Sequence, residues 1–167
     1  LLLVALGVLL EAARRVEVEA GDEVGLVERV DAATQVREVL DGLPACEPLE
    51  TAKTIAATTA LQGLRDAGRL EAGDRVLING ASGGVGTFAV QIAKSMGAEV
   101  TAVCSTRNVE LVRQLGADHV IDYTREDFTK NGQQYDLILA AIGYHPLSAY
   151  KRALAPRGIY VMAGGSF

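Results

Sequence analysis

An α/β fold built on a doubly wound parallel sheet is predicted by three observations. Residues 75–79 form a short apolar run, residues 80–86 a turn with four glycines, and residues 87–97 an amphipathic stretch ending in glycine. Strand-like and helix-like patterns then alternate to the end of the chain through short connections. Such an order is met by right-handed crossovers and parallel strands.

The elements follow in order. Residues 1–42 hold an apolar run, a turn at Gly21-Asp22 and a helical stretch around 31–40, with no motif that carries chemistry. Ile55, Ala56, Thr59, Ala60 and Leu64 recur at helical spacing, which predicts an amphipathic helix over 50–68 closed by Gly68. Val76, Leu77 and Ile78 suit a buried parallel strand, and Val85, Phe88, Ala89, Ile92 and Met96 the helix after it, stopped by Gly97. A second strand is predicted over 99–104, a helix over 109–115 closed by Gly116, and a third strand over 119–122. A fourth strand covers 135–142, a helix runs over 147–154 until Pro156 stops it, and a fifth strand covers 159–163. This is a Rossmann-type domain, truncated at the last strand of a six-stranded sheet. Both ends of the chain read as cut, since it starts without Met and stops straight after a strand.

The glycine turn carries the chemistry. Gly80, Gly83, Gly84 and Gly86 remove the side chains that would hold a diphosphate away from the amides at the helix start, where unpaired N–H groups and partial positive charge bind anions. A tight loop of another α/β protein is the plainer reading, but the strand before and the helix after favour a nucleotide. A Walker-type loop would need Lys and then Ser or Thr after its last glycine, and here Thr87 and Phe88 follow Gly86. A short-chain dehydrogenase would need Tyr with Lys four positions on, and Tyr144, Tyr150 and Tyr160 all lack it. Ligands of such sheets bind at the carboxyl ends of strands, which gathers Gly83, Ser105, Tyr123, Gly143 and Gly164 at one crevice.

Composition narrows the partners. With 167 residues, 49% hydrophobic and 22% charged, the chain can bury a core, and its net charge of −5 argues against nucleic acid. Cys46 and Cys104 suit neither a disulfide framework nor a zinc site, so no metal is expected, and they fit a reducing cytoplasm. The first ten residues have the length of a signal-peptide core but lack a basic start and cannot span a bilayer; they are read as a buried strand or helix, with no membrane partner.

The end of the second strand selects the nucleotide. An NAD site places a carboxylate there for the ribose hydroxyls, whereas this chain has Cys104-Ser-Thr-Arg107. Ser105, Thr106 and Arg107 offer hydroxyl and forked guanidinium donors to a 2′-phosphate, which favours NADPH over NADH. Helix capping by Ser105 and Thr106, with Arg107 solvated, is the alternative, and the two are compatible.

Three segments, Ala81-Ser-Gly-Gly-Val-Gly86, Leu115-Gly-Ala-Asp-His-Val-Ile-Asp-Tyr123 and Ala155-Pro-Arg-Gly-Ile-Tyr-Val-Met-Ala-Gly164, closely resemble the medium-chain dehydrogenase/reductase superfamily, its zinc-independent quinone oxidoreductases above all. The resemblance covers residue 47 to the end. It implies that Ser82, Gly83, Gly84 and Val85 bind the diphosphate, that Ser105 with Arg107 holds the 2′-phosphate, that Tyr123 lies near the adenosine phosphate, and that Thr59 faces the nicotinamide. Relatives often carry Lys where this chain has Asn108, so Arg107 must supply the charge. The family's catalytic domain is not recognisable in residues 1–42. Residues 1–46 are therefore an unassigned segment, a remnant of that domain at most, and 47–167 the dinucleotide-binding domain.

Few other residues invite chemistry, and no catalytic residue is assigned. His119 reads as structural or solvated, and His145 is the only histidine placed for chemistry in a loop near the crevice. Tyr144 lines the nicotinamide pocket or packs, and Cys104 reads as a small core residue. The expected function is the NADPH-binding domain of an oxidoreductase that transfers hydride to a quinone, enone or carbonyl electron acceptor. A non-catalytic dinucleotide-binding module is the alternative. A homodimer is the expected assembly.

Overall fold

The computed structural model describes residues 48–163. The opening segment 1–46, with its apolar run and Cys46, and the terminal Gly164 lie outside the described residues. Helix α1 (Pro48–Leu61) passes into a π-helical turn (Gln62–Ala67), followed by strand β1 (Arg75–Asn79), helix α2 (Gly84–Ser95) and strand β2 (Glu99–Cys104). A 3-10 turn (Thr106–Asn108), helix α3 (Val109–Gln114), strands β3 (His119–Asp122) and β4 (Tyr135–Ala140), helix α4 (Leu147–Ala153) and strand β5 (Leu154–Met162) complete it.

The five strands are parallel and lie in the order β3-β2-β1-β4-β5. The chain winds outward from β1 to β3, then crosses back to β4 beside β1. The winding reverses between β1 and β4, and ligands of open α/β sheets bind outside the carboxyl ends of the strands at that point. Alternate residues explain the two layers. Val76 and Ile78 of β1 face a core with Ala60, Leu64, Ala89, Val90, Ala93 and Val112, while Leu77 faces a second core with Ile138, Phe128, Tyr150 and Tyr160. Strands buried on both faces read as continuous apolar runs, which is why they were visible in the sequence.

Glycines end the elements as predicted where φ turns positive, at Gly97 (+84°) and Gly116 (+104°). Gly68 ends the first helix differently. The chain widens into the π turn, and the Gly68 amide donates to Gly63 O at 2.9 Å, with ordinary helical φ. A side chain at Gly68 would meet Leu137 of β4 at 2.6 Å, so it is tight packing that needs glycine there.

Two boundaries depart from expectation. The fourth strand stops at Ala140 rather than 142, because the Asn79 carboxamide takes the Ile142 carbonyl at 2.7 Å and turns the chain out of the sheet. The last strand begins at Leu154 rather than Ile159, so α4 ends at Ala153 and Pro156 stops no helix. Leu154 already pairs with Tyr135, and the next pairs are Leu137 with Ile159, so β5 carries a wide bulge between them. Pro156 and Arg157 (φ +71°) sit in that bulge, where proline's missing N–H breaks no ladder.

Candidate functional site

The crevice at the switch point is lined by the turn after β1 and the loops after β2, β3 and β4. At its floor Asn79 is nearly buried, and its Nδ2 donates to Ile142 O and to the Tyr150 hydroxyl at 3.1 Å. This ties the carboxyl ends of β1 and β4 to α4.

Above the floor, Gly80 takes φ +84°, and the amides of Gly80 and Ala81 both donate to Val103 O, at 3.2 and 3.0 Å. The Gly83 amide closes back onto Gly80 O at 3.0 Å. The glycines then divide the work. A side chain at Gly86 would overlap the Gly80 carbonyl oxygen and lie 2.7 Å from Ala81 Cα, so Gly86 lets α2 approach the turn. A side chain at Gly84 would meet nothing within 4 Å. Gly83 is the N-cap, extended and without a side-chain cap. The first amides of a helix have no intrahelical acceptor, so those of α2 open onto the space above Gly84.

Beside the turn, the end of β2 holds Ser105, half-buried, and Thr106 and Arg107, both exposed. Neither Ser105 nor Asn108 caps the following helix with its side chain, so the capping alternative for Ser105 finds no support. Arg107 has no ion pair among the described residues and is free to meet a ligand. Asn108, expected only as a missing lysine, is a bridge: its Nδ2 donates to Ser82 Oγ at 3.0 Å and to Ser105 Oγ at 3.2 Å. Thr106 is differently engaged. Its hydroxyl donates to the Asp122 carboxylate and lies 3.1 Å from Thr124 Oγ1. The register pairs Cys104 with Asp122, which puts a carboxylate of β3 beside the end of β2. Asp122 also receives the Thr124 amide and hydroxyl and lies 3.6 Å from Arg125, and the Thr106 hydrogen bond above all holds its carboxyl below the usual range. Sequence reasoning missed this carboxylate because it sought one on the second strand only. Tyr123 is 60% exposed beside it.

The remaining candidates divide. Thr59 lies on α1 with its hydroxyl turned back to Ile55 O at 2.8 Å. Gly143 would meet only Met162 Sδ, at 3.8 Å, if it carried a side chain, so packing does not demand glycine there. Tyr144 is 79% exposed and does not pack. His145, the histidine expected nearest to chemistry, stands edge-on to Phe128 and Tyr150 with ring centroids 5.1 and 5.9 Å away, and Nε2 is 4.0 Å from Asp127. It anchors its loop to the aromatic core. His119 pairs with Glu99 at 2.8 Å at the amino ends of the strands, far from the crevice. Burial, aided by the nearby Asp122 charge, pushes the Cys104 thiol up, as suits a core residue.

The profile of the family described as "Zinc-binding dehydrogenase" matches residues 84–167. The chain belongs to this family. It is a nucleotide-binding domain of the medium-chain dehydrogenase/reductase superfamily, as its motifs implied. The trans-enoyl reductase pgmF of Aspergillus terreus is 43% identical over 128 residues, which are 72% of this chain and 36% of that protein. The mouse (Mus musculus) mitochondrial NAD(P)H oxidoreductase RTN4IP1 is 58% identical over 74 residues, 42% of this chain and 19% of that protein. The crystal structure of the CurK enoyl reductase superposes with a TM-score of 0.61 at 33% identity, covering 68% of this chain and 36% of that one. The chain thus spans about a third of the length of such relatives or less. Although the family is named for zinc, no group of three or more His, Cys, Asp or Glu that could hold a metal ion occurs among the described residues. No helix among them is long and apolar enough to cross a membrane.

Proposed function

We propose that this chain is the NADPH-binding domain of a reductase that delivers hydride to an electron-poor acceptor, a quinone, enone or carbonyl. The observation that carries the reading is the uncapped start of α2 above Gly84, with the unpaired Arg107 and the half-buried Ser105 on the neighbouring strand end. The first offers amides to a diphosphate and the second a fork of charged donors to a 2′-phosphate. When bound, the nicotinamide supplies the hydride, and the domain's part is to hold and orient it. Ser82, Gly83, Gly84 and Val85 would hold the diphosphate and Tyr123 would flank the adenosine. Thr59, Gly143 and Gly164 are proposed nearer the nicotinamide end. Thr106 contributes indirectly, by occupying Asp122. The similarity to the NAD(P)H oxidoreductase RTN4IP1 supports a nicotinamide cofactor, and the enoyl reductases among the relatives, pgmF and CurK, favour an activated carbon–carbon double bond as acceptor. A cytoplasmic enzyme and a homodimer are parts of the same proposal.

The test is cofactor titration followed by nicotinamide fluorescence. Arg107→Ala should weaken NADPH by about tenfold or more and leave NADH nearly unchanged, since a charge-assisted contact is worth about 1.5 to 3 kcal/mol. Ser105→Asp should add preference for NADH. Equal loss of both cofactors in both variants would remove the NADPH assignment. A second reading, a module that binds the dinucleotide without turnover, is favoured by the packing of His145, which leaves the crevice without a histidine free to move protons. Cofactor binding with no NADPH oxidation across quinones and enones by the full-length protein would establish that reading.

A further inference from the structure

We propose that Asn108 is a positioning residue that aims two serine hydroxyls at the cofactor's phosphates, and so sets phosphate selectivity without touching the ligand. The inference rests on the dinucleotide occupying the crevice. A carboxamide nitrogen has two hydrogens and no acceptor capacity, while a serine hydroxyl has one hydrogen and two acceptor sites. Asn108 Nδ2 lies 3.0 Å from Ser82 Oγ and 3.2 Å from Ser105 Oγ, so both serines must accept from it. Each keeps its own proton to give elsewhere. Among the described residues neither hydroxyl donates to a protein acceptor, and both serines are half-buried rather than solvated. Ser82 belongs to the turn where the diphosphate is held, and Ser105 to the strand end where the 2′-phosphate is held. One nitrogen thereby turns two O–H donors away from itself and biases them toward two anionic groups, doing by orientation what a lysine would do by charge.

Two variants test this. In Asn108→Leu, of similar volume, each hydroxyl regains the one staggered position that the carboxamide blocks, three in place of two, so NADPH binding should fall only about twofold, about 1.5-fold for each released rotor. In Asn108→Asp the carboxylate accepts from both serines, their protons turn inward, and lone pairs face the phosphates. NADPH affinity should then fall by more than in the leucine variant and by about tenfold or more relative to NADH. Aspartate is as good as asparagine at a helix start, so the thermal midpoint should hold. A double-mutant cycle separates orientation from added charge: Ser105→Ala should cost NADPH affinity in the wild type and none in the Asn108→Asp background. The proposal is overturned if Asn108→Asp binds NADPH like the wild type, which would mean that the carboxamide oxygen faces the serines. It is overturned equally if Ser105→Ala costs the same in both backgrounds. Wild-type protein that binds NADPH and NADH alike would instead refute the 2′-phosphate assignment of Ser105 and leave the Ser82 half to the leucine variant. Absence of any dinucleotide binding would remove the site reading and this inference with it.

Discussion

Gly84 and Gly86 lie two residues apart in the first turn of α2, yet their substitution should give opposite phenotypes. A β-carbon at Gly86 would overlap Gly80 O and stand 2.7 and 2.8 Å from Ala81 Cα and C, against the roughly 3.5 to 4.0 Å of an ordinary carbon–carbon contact. All three obstructing atoms are backbone, so no rotamer change relieves them, and α2 must retreat from the turn after β1 by close to 1 Å. Overpacking of this kind costs about 1 to 3 kcal/mol. With the upper end taken for rigid neighbours and about 1 kcal/mol returned by alanine's helix propensity, Gly86→Ala should lose about 2 kcal/mol. For a chain of this size that lowers the thermal midpoint by about 4 to 8 °C. Gly84→Ala, which meets nothing within 4 Å, should be neutral or slightly stabilising. Gly84→Val should also fold, but its branched side chain would fill the space assigned to the diphosphate and abolish dinucleotide binding. Urea and thermal unfolding of the set, with cofactor titration of Gly84→Val, check this. A Gly86→Ala protein as stable as Gly84→Ala would refute the packing argument, and a Gly84→Val protein that binds normally would place the nucleotide elsewhere.

Two further predictions concern the core and its rim. Among the described residues the buried Tyr160 hydroxyl has no hydrogen-bond partner, and burial pushes its ionisation far up, so Tyr160→Phe should be neutral or add up to about 1 kcal/mol in urea unfolding; a clear loss would show that the hydroxyl is satisfied. Asp127 is pulled down to about 2, first by the Thr129 hydroxyl and then by the Thr129 amide, Lys130 and His145. Its unfolded value is about 3.9, so its contribution is complete above that pH and is lost as the pH falls toward 2. Asp127→Asn should therefore flatten the fall in stability between about pH 4 and pH 2 seen by urea unfolding, and parallel curves for the two proteins would refute the assignment.

The parts of this fold legible in the sequence are those fixed by local pattern. β1 and β2 are buried runs and β3 a half-buried one, all closed by glycine or turn residues, and their predicted and observed spans nearly coincide. What escaped depends on partners remote in sequence. The early start of β5 is set by Leu154 pairing with Tyr135, and no local signal distinguishes Leu154 as strand from the helical residues before it. The early end of β4 is set by the Asn79 side chain. In the site, the glycine turn and the strand-end hydroxyls could be read directly, whereas the bridge from Asn108 to Ser82 spans 26 residues and could not. The signal that could have found it is a short polar residue, able to donate twice, in the place where relatives carry a long cation.

The carboxylate of Asp122 bears on the same site from the other side. A free carboxylate at the adenosine end of the crevice would accept from ribose hydroxyls and repel a 2′-phosphate, and the pairing of Cys104 with Asp122 brings one there. Yet one of its oxygens receives the Thr106 hydroxyl and the other receives the Thr124 hydroxyl at 2.7 Å and amide at 3.0 Å, with the Arg125 guanidinium 3.6 Å away. Three of its roughly four acceptor sites are taken within the protein, and Arg125 offsets its charge. On the proposed reading, Thr106 thus favours NADPH by removing a competitor, while Arg107 and Ser105 favour it by direct contact. That division separates Thr106→Val from Arg107→Ala. The first frees one Asp122 oxygen and should raise NADH affinity as NADPH affinity falls, whereas the second should lower NADPH alone. Titration of both variants with both cofactors reads the difference, and a Thr106→Val protein that loses NADPH without gaining NADH would show that Thr106 meets the phosphate itself.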